Sequence, residues 1–203
     1  MTLIYPTYFP NVASYIVMIH ADNLIFEVQD SYQKQTYRNR CYIYGANGKL
    51  GLHIPVHHKK NRQNTSEILI DNSIRWQSIH WKSLESAYKT SPFFEYYQEE
   101  LISLFKTKKN SLLAFNFECI KVINSCLDFD IEYSISSEFK KGIQHNEYRY
   151  LVNARKESKI KMSPYLQVFN NKYGFINNLS ILDLLFNEGP NAKSYLKTQN
   201  LTF

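Results

Sequence analysis

The chain has 203 residues, 44% of them hydrophobic, with 16 Tyr, 13 Phe and a formal charge of +6. A domain of that length buries about 70% of its unfolded surface and needs no disulfide or metal to hold it together. The charge favours an anionic partner, whether a phosphate, a nucleotide, an acidic membrane surface or nucleic acid, and the partner expected here is an anionic small-molecule substrate. No nucleic-acid motif, signal-like opening or membrane-length apolar run is present, so a cytoplasmic protein with no nucleic-acid partner and no membrane span is expected.

The three cysteines, Cys41, Cys119 and Cys126, lack paired spacing, which argues against a disulfide framework or a zinc cluster. Cys119 and Cys126 are seven apart on a predicted helix and should share its buried face. The densest basic runs, His57 to Lys60 with Arg62 and Lys106 to Lys109, sit beside turn-formers and read as solvated loops.

Leu3-Ile4-Tyr5 predicts a short strand, stopped by Pro6. Asn11 can cap a helix from about Val12 to His20, with Ala13, Ile16 and Val17 in its buried stripe. Leu24 to Val28 predicts a second strand. Strand, helix and strand in this order open a parallel α/β sheet. Tyr37 to Ile43 and Leu50 to Val56 flank Gly45-Ala-Asn-Gly48, a strong hairpin signal. Glu67 to Ile70 reads as another short strand. A helical period runs from Ile74 to Tyr88, and Ser91-Pro92 predicts a helix start with proline at the first helical position. A longer helix carries Leu112, Phe115, Cys119 and Cys126. Ile131 to Ile135 and Tyr165 to Phe169 read as strands, while residues 136–163 resist assignment. Ser180, with Asp183 three positions on, caps a final helix that Gly189 and Pro190 end.

Arg38 and Arg40, two apart on a predicted strand, project on one face. Paired guanidiniums suit a phosphate or carboxylate, although an exposed strand with ordinary surface charge has the same pattern. On the opposite face lie Tyr37 and Asn39, continued backwards by Gln33 and Gln35. The Pro6–Pro10 loop, with Tyr5 before it and Tyr8 within it, follows the first strand, where open α/β sheets bind ligands. It lacks the glycines of a dinucleotide loop or a P-loop, so its backbone would not cradle phosphates in those familiar ways. Its aromatics could equally cover the core. His80 lies between Trp76 and Leu84 on a helical face, so it is either a buried structural histidine or a general base. His53, His57 and His58 have no metal-ligand spacing. Asp183 and Asn187 share a helical face. Glu188, near a helix C-terminus, opposes the helix dipole and calls for a compensating partner such as one of the arginines.

Several segments together resemble the WbqC-like family over most of the chain. They are Pro6 to Pro10, Ala21-Asp22, Gln35 with Arg38-Asn39-Arg40, Ile54-Pro-Val56, Trp76-x-x-x-His-Trp81, Tyr88-x-x-x-Pro-Phe-Phe94 and Asn178 to Pro190. The last is the most specific. The resemblance implies an association with surface-polysaccharide (O-antigen) biosynthesis, in a family whose activity is unsettled. Longer relatives carry a Gly-Ala-Asp…Tyr-Leu-Ser-Gly-like segment before the last third. Here Glu147-Tyr-Arg-Tyr-Leu-Val152 stands in its place.

The expectation is a single α/β domain spanning residues 1–203: a small mixed sheet with a strand–helix–strand unit and a hairpin, flanked by helices. The expected function is a transferase-like enzyme acting on a phosphorylated or nucleotide-linked sugar, with a non-catalytic binding protein of envelope assembly as the alternative. The end motifs are expected to meet in one cleft. Tyr5, Tyr8, Gln35, Arg38, Asn39, Arg40 and Asn187 would bind substrate, and His80, Asp183 and Glu188 would be catalytic. No metal and no cofactor are expected.

Overall fold

A computed structural model of the protein describes residues 1–57, 63–140, 147–155 and 160–200. The opening unit forms as the sequence predicts. β1 (Thr2–Ile4) and β2 (Leu24–Phe26) pair in parallel around α1 (Val12–Ile19), and β7 (Tyr133–Ile135) adds to the far side of β2, giving the order β1-β2-β7. Leu3 stands opposite Ile25, and Ile25 opposite Ser134. On its other edge β1 takes a single bridge, where Tyr148 N donates to Leu3 O at 2.9 Å. Asn11 caps α1 by accepting from Ser14 N at 2.9 Å. α1 is more deeply enclosed than a one-sided amphipathic stripe requires. Every residue from Val12 to Met18 is buried, because the sheet, α6 (Ile181–Glu188) and α7 (Ala192–Thr198) all pack on it.

The hairpin pairs β3 (Arg40–Gly45) with β4 (Gly48–His53), and Gly48 supplies the positive φ of 95° at the turn. A minor pair, β5 (Val56–His57) with β6 (Leu69–Ile70), lies beyond it. α2 (Trp76–Tyr88), α3 (Phe94–Lys106) and α4 (Leu112–Cys126) cover the rest of one core, in which Tyr8, Phe9, Trp76, Phe115 and Phe186 are essentially inaccessible. Each such ring contributes roughly 2–3 kcal/mol of hydrophobic stabilisation. Among the described residues no helix is long and apolar enough to cross a membrane.

Four local expectations are corrected. Tyr37–Asn39 is a 3-10 turn, not the start of the hairpin strand, so Arg38 and Arg40 do not share a strand face. Ser91 closes α2, its N and Oγ both donating to Tyr88 O, and α3 starts two residues after Pro92. Tyr165 to Phe169 joins no ladder, because Tyr165 and Gln167 bond to Asp183 instead; the single turn α5 (Asn170–Tyr173) follows. α6 is not the last helix, since Gly189–Asn191 turns the chain into α7. Cys119 is buried and Cys126 half-buried against the core, and both are free thiols. Of the basic runs, Lys109 pairs with Glu118 at 2.5 Å, while His58 to Arg62 lie outside the described residues.

Candidate functional site

β1 and β2 end side by side, and the residues that follow them are polar. Beyond β1 come Tyr5, Pro6 and Thr7, and beyond β2 come Glu27 and Asp30. Carboxyl ends of adjacent parallel strands are where open α/β sheets gather ligand-binding groups. Two devices bring the 37–39 turn to this edge. Asn116 of α4, 1% exposed, donates to Pro6 O (3.3 Å) and to Arg38 O (2.9 Å), and Tyr8 N donates to Tyr37 O at 3.1 Å. Arg38 is thereby turned inward, 4.0 Å over the Tyr5 ring. Phe9 and Gln35 hold positive φ values of 38° and 61°, a strain of about 1 kcal/mol each for L-residues.

Arg38 has the anionic partner that an inward guanidinium needs, and that partner is Asp30 rather than Glu188 or Asp183. Its Nη2 donates to Asp30 Oδ2, and the two side chains are 1% and 3% exposed. Thr65 Oγ donates to Asp30 Oδ1 at 2.7 Å. Burial pushes the Asp30 carboxyl up, and Arg38, Thr65 and Tyr5 oppose that shift. Burial, then the Asp30 charge, pushes the Tyr5 phenol up to about 12, so Tyr5 stays a neutral donor. Next to this pair, Glu27 accepts from Ser136 Oγ (2.8 Å) and Gln29 N (2.7 Å), and its Oε2 lies 3.5 Å from Arg149 Nη1. Arg149 Nε donates to Glu147 Oε1 at 2.8 Å, and Nη2 lies 2.7 Å from the same oxygen as an ion pair. Even so, Arg38 Nε and Nη1, Arg149 Nη1, Arg40 Nε and Thr7 Oγ are buried without a hydrogen-bond partner among the described residues. Orphaned buried donors cost about 1–3 kcal/mol each, more on charged groups.

The structure gathers only part of the expected site. Tyr5 and Arg38 lie together at the strand ends, whereas Asn39 Nδ2 donates to Ile54 O at 2.9 Å and Arg40 opens β3 opposite His53. Gln35 is exposed on the approach to the turn. Tyr8 points into the core, where its hydroxyl meets His80 Nδ1 at 2.9 Å, and His80 Nε2 lies 3.2 Å from His53 O. A carbonyl only accepts, so Nε2 carries the proton and Nδ1 accepts from Tyr8. Burial lowers the His80 pKa to about 4, and the imidazole is neutral. Burial likewise pushes the Cys41 and Cys119 thiols well up, away from nucleophilic thiolates.

The two end motifs do meet, but through α6's N-terminus. Ile181 N donates to Pro10 O (2.8 Å), Ser180 Oγ to Phe9 O (3.0 Å) and Val12 N to Leu179 O (2.9 Å). Asp183, fully buried, accepts from Tyr88 (2.7 Å), Tyr165 (2.6 Å) and Gln167 (2.8 Å); burial pushes its carboxyl up and these donors oppose that shift. Asn187 donates to Asp183 O at 2.7 Å. Asn187 and Glu188 sit at the opposite end of α6, about 9–11 Å along the axis from Ile181.

Asp30, Glu27, Thr65 and Arg149 were not singled out from sequence. The rule that pointed to the loop after β1 applies equally after β2, and would have found Glu27 and Asp30. Arg149 lies in the 3-10 turn Arg149–Val152, within a stretch whose structure the sequence left unassigned.

Residues 5–162 match the WbqC-like protein family, and the chain belongs to that family. It is similar to "Uncharacterized protein Rv1507c" of Mycobacterium tuberculosis, at 24% identity over 97% of each chain. No solved structure matches.

Proposed function

We propose that the protein is a transferase-like enzyme of surface-polysaccharide assembly that takes a phosphorylated or nucleotide-linked sugar at the ends of β1 and β2. The observation that carries this reading is the Arg38 guanidinium, 1% exposed, with Nε and Nη1 unpartnered on either side of the Nη2 that Asp30 takes. Oxygens fanned around a phosphorus atom suit those divergent donors better than a single carboxylate does. Arg40 adds a second guanidinium, and Tyr5 fixes the Arg38 plane from below. In a transfer step the acceptor hydroxyl oxygen bonds to the sugar carbon while the phosphate oxygen leaves with the bonding electrons, stabilised by Arg38 and Arg40. The hydroxyl proton goes to Asp30, the carboxylate in contact with Arg38.

A non-catalytic binding protein of envelope assembly is the second reading. It is favoured by one observation: Asp30, Glu27 and His80 are all engaged in hydrogen bonds. Thermal stabilisation by a panel of sugar phosphates and nucleotide sugars, followed by a turnover assay on each hit, separates the two. Stabilisation with turnover supports the enzyme and stabilisation alone the binder; a panel without hits removes both.

A further inference from the structure

The outer face of the hairpin continues from the arginine site. In the β3–β4 register Arg40 stands opposite His53 and Tyr42 opposite Gly51, on the face away from the buried Cys41 and Ile43; Lys49 pairs with Tyr44, whose ring is covered and takes no part in the row. Tyr42 and His53 meet edge to face at 6.5 Å, Tyr37 meets Tyr42 at 5.8 Å, and the Lys49 ammonium lies 4.5 Å over the Tyr42 ring. Gly51 makes the closure of these rings over the strand possible. A Cβ there would lie 2.7 Å from His53 Cε1 and 3.2 Å from Tyr42 Cε1. His53 is exposed, and partial burial together with the Arg40 charge holds its pKa below the usual value, leaving an uncharged ring at neutral pH. Arg40, half-buried with its Nε unpartnered, begins this row, and the Tyr32 phenol feels both Arg40 and Arg38.

We infer that this ring-and-cation row is the nucleoside subsite of the same ligand, so that the substrate is a nucleotide-linked sugar rather than a simple sugar phosphate. The inference rests on the functional reading above. A hexose stacks its C–H face on an open aromatic face, but Lys49 lies over that of Tyr42. A nucleobase instead stacks on the His53 imidazole, while its ring carbonyls accept from Lys49. The phosphates then run along Arg40 towards Arg38, two residues back in the chain.

Calorimetric titration of the full chain with pyrophosphate, glucose 1-phosphate, uridine diphosphate and guanosine diphosphate tests this, alongside Gly51→Val and His53→Ala. A base stacked in this way strengthens binding about tenfold or more. At least one nucleoside diphosphate should therefore bind about tenfold more tightly than pyrophosphate. Both variants should lose that increment while keeping their pyrophosphate affinity. Equal affinities for pyrophosphate and both nucleoside diphosphates, or an increment that survives in both variants, overturns the nucleoside subsite and leaves the phosphate site standing. No binding of any of the four overturns the functional reading and this inference with it.

Discussion

Arg38 and His80 illustrate how burial decides what a polar side chain does. Arg38 is enclosed with a carboxylate partner and, among the described residues, still has donors on Nε and Nη1 without a partner, which is why the proposed site is centred on it. His80 is enclosed with both nitrogens used, which makes it a spacer between Tyr8 and the end of β4. That difference has a pH consequence. The unfolded chain protonates this histidine near 6.5, whereas the folded protein does so only near 4. Between those values the unfolded state holds the extra proton, so stability falls as pH is lowered from about 6.5 to about 4, by up to about 3 kcal/mol. His80→Gln, which can still donate and accept, should show a visibly flatter loss of urea midpoint between pH 7 and pH 4.5 than the parent. An equally steep loss in both proteins would remove His80 as the cause.

At the scale of elements, the sequence was most legible where local chemistry decides. Asn11, the Gly45–Gly48 turn, and Ser180 with Gly189 mark boundaries through their own backbone preferences, and the elements begin or end there. It was least legible where a partner far along the chain decides. Tyr165 and Gln167 have strand-like neighbours, but Asp183 claims their polar groups. The 37–39 turn looks like a strand until Asn116, on α4, pulls in its carbonyl. Arg38 was recognised as an anion-binding candidate, yet periodicity could not say that Asp30 would be its partner. The closing motif shows the same division. Its Gly189 adopts φ 51° and ψ −123°, a region open essentially to glycine, and a Cβ there would lie 2.5 Å from the Phe93 ring. Gly189→Ala should therefore lower stability by about 2–4 kcal/mol, combining backbone strain with overpacking, as read by chemical denaturation. A change below about 0.5 kcal/mol would mean the α6–α3 junction adapts freely.

Across the whole molecule, the two ends of the chain form a frame and the site forms at one edge of it. α6 locks the Phe9–Pro10 segment from behind, and α4 clamps Pro6 to Arg38 from the side. The closing Asn178–Pro190 segment, which lies beyond the family match of residues 5–162, contributes no residue to the arginine cluster and instead holds the Phe9–Pro10 loop in place. Arg149, from the Glu147 to Val152 segment, also reaches the cluster, its Nη1 lying 3.5 Å from Glu27 Oε2. Removing Arg38 outright would leave Asp30 buried and unpaired at a cost of about 3–5 kcal/mol, so loss of binding in Arg38→Ala would be ambiguous. The central claim, that the spare donors of Arg38 receive the ligand, is tested most directly by observing them. In a nitrogen-resolved NMR titration with the tightest-binding nucleotide sugar, the Arg38 Nε–H resonance is identified by its disappearance in Arg38→Lys. The account predicts that this resonance moves with saturation and that its proton exchanges more slowly in the complex. A ligand that saturates the protein while the Arg38 Nε–H signal stays in place would contradict it.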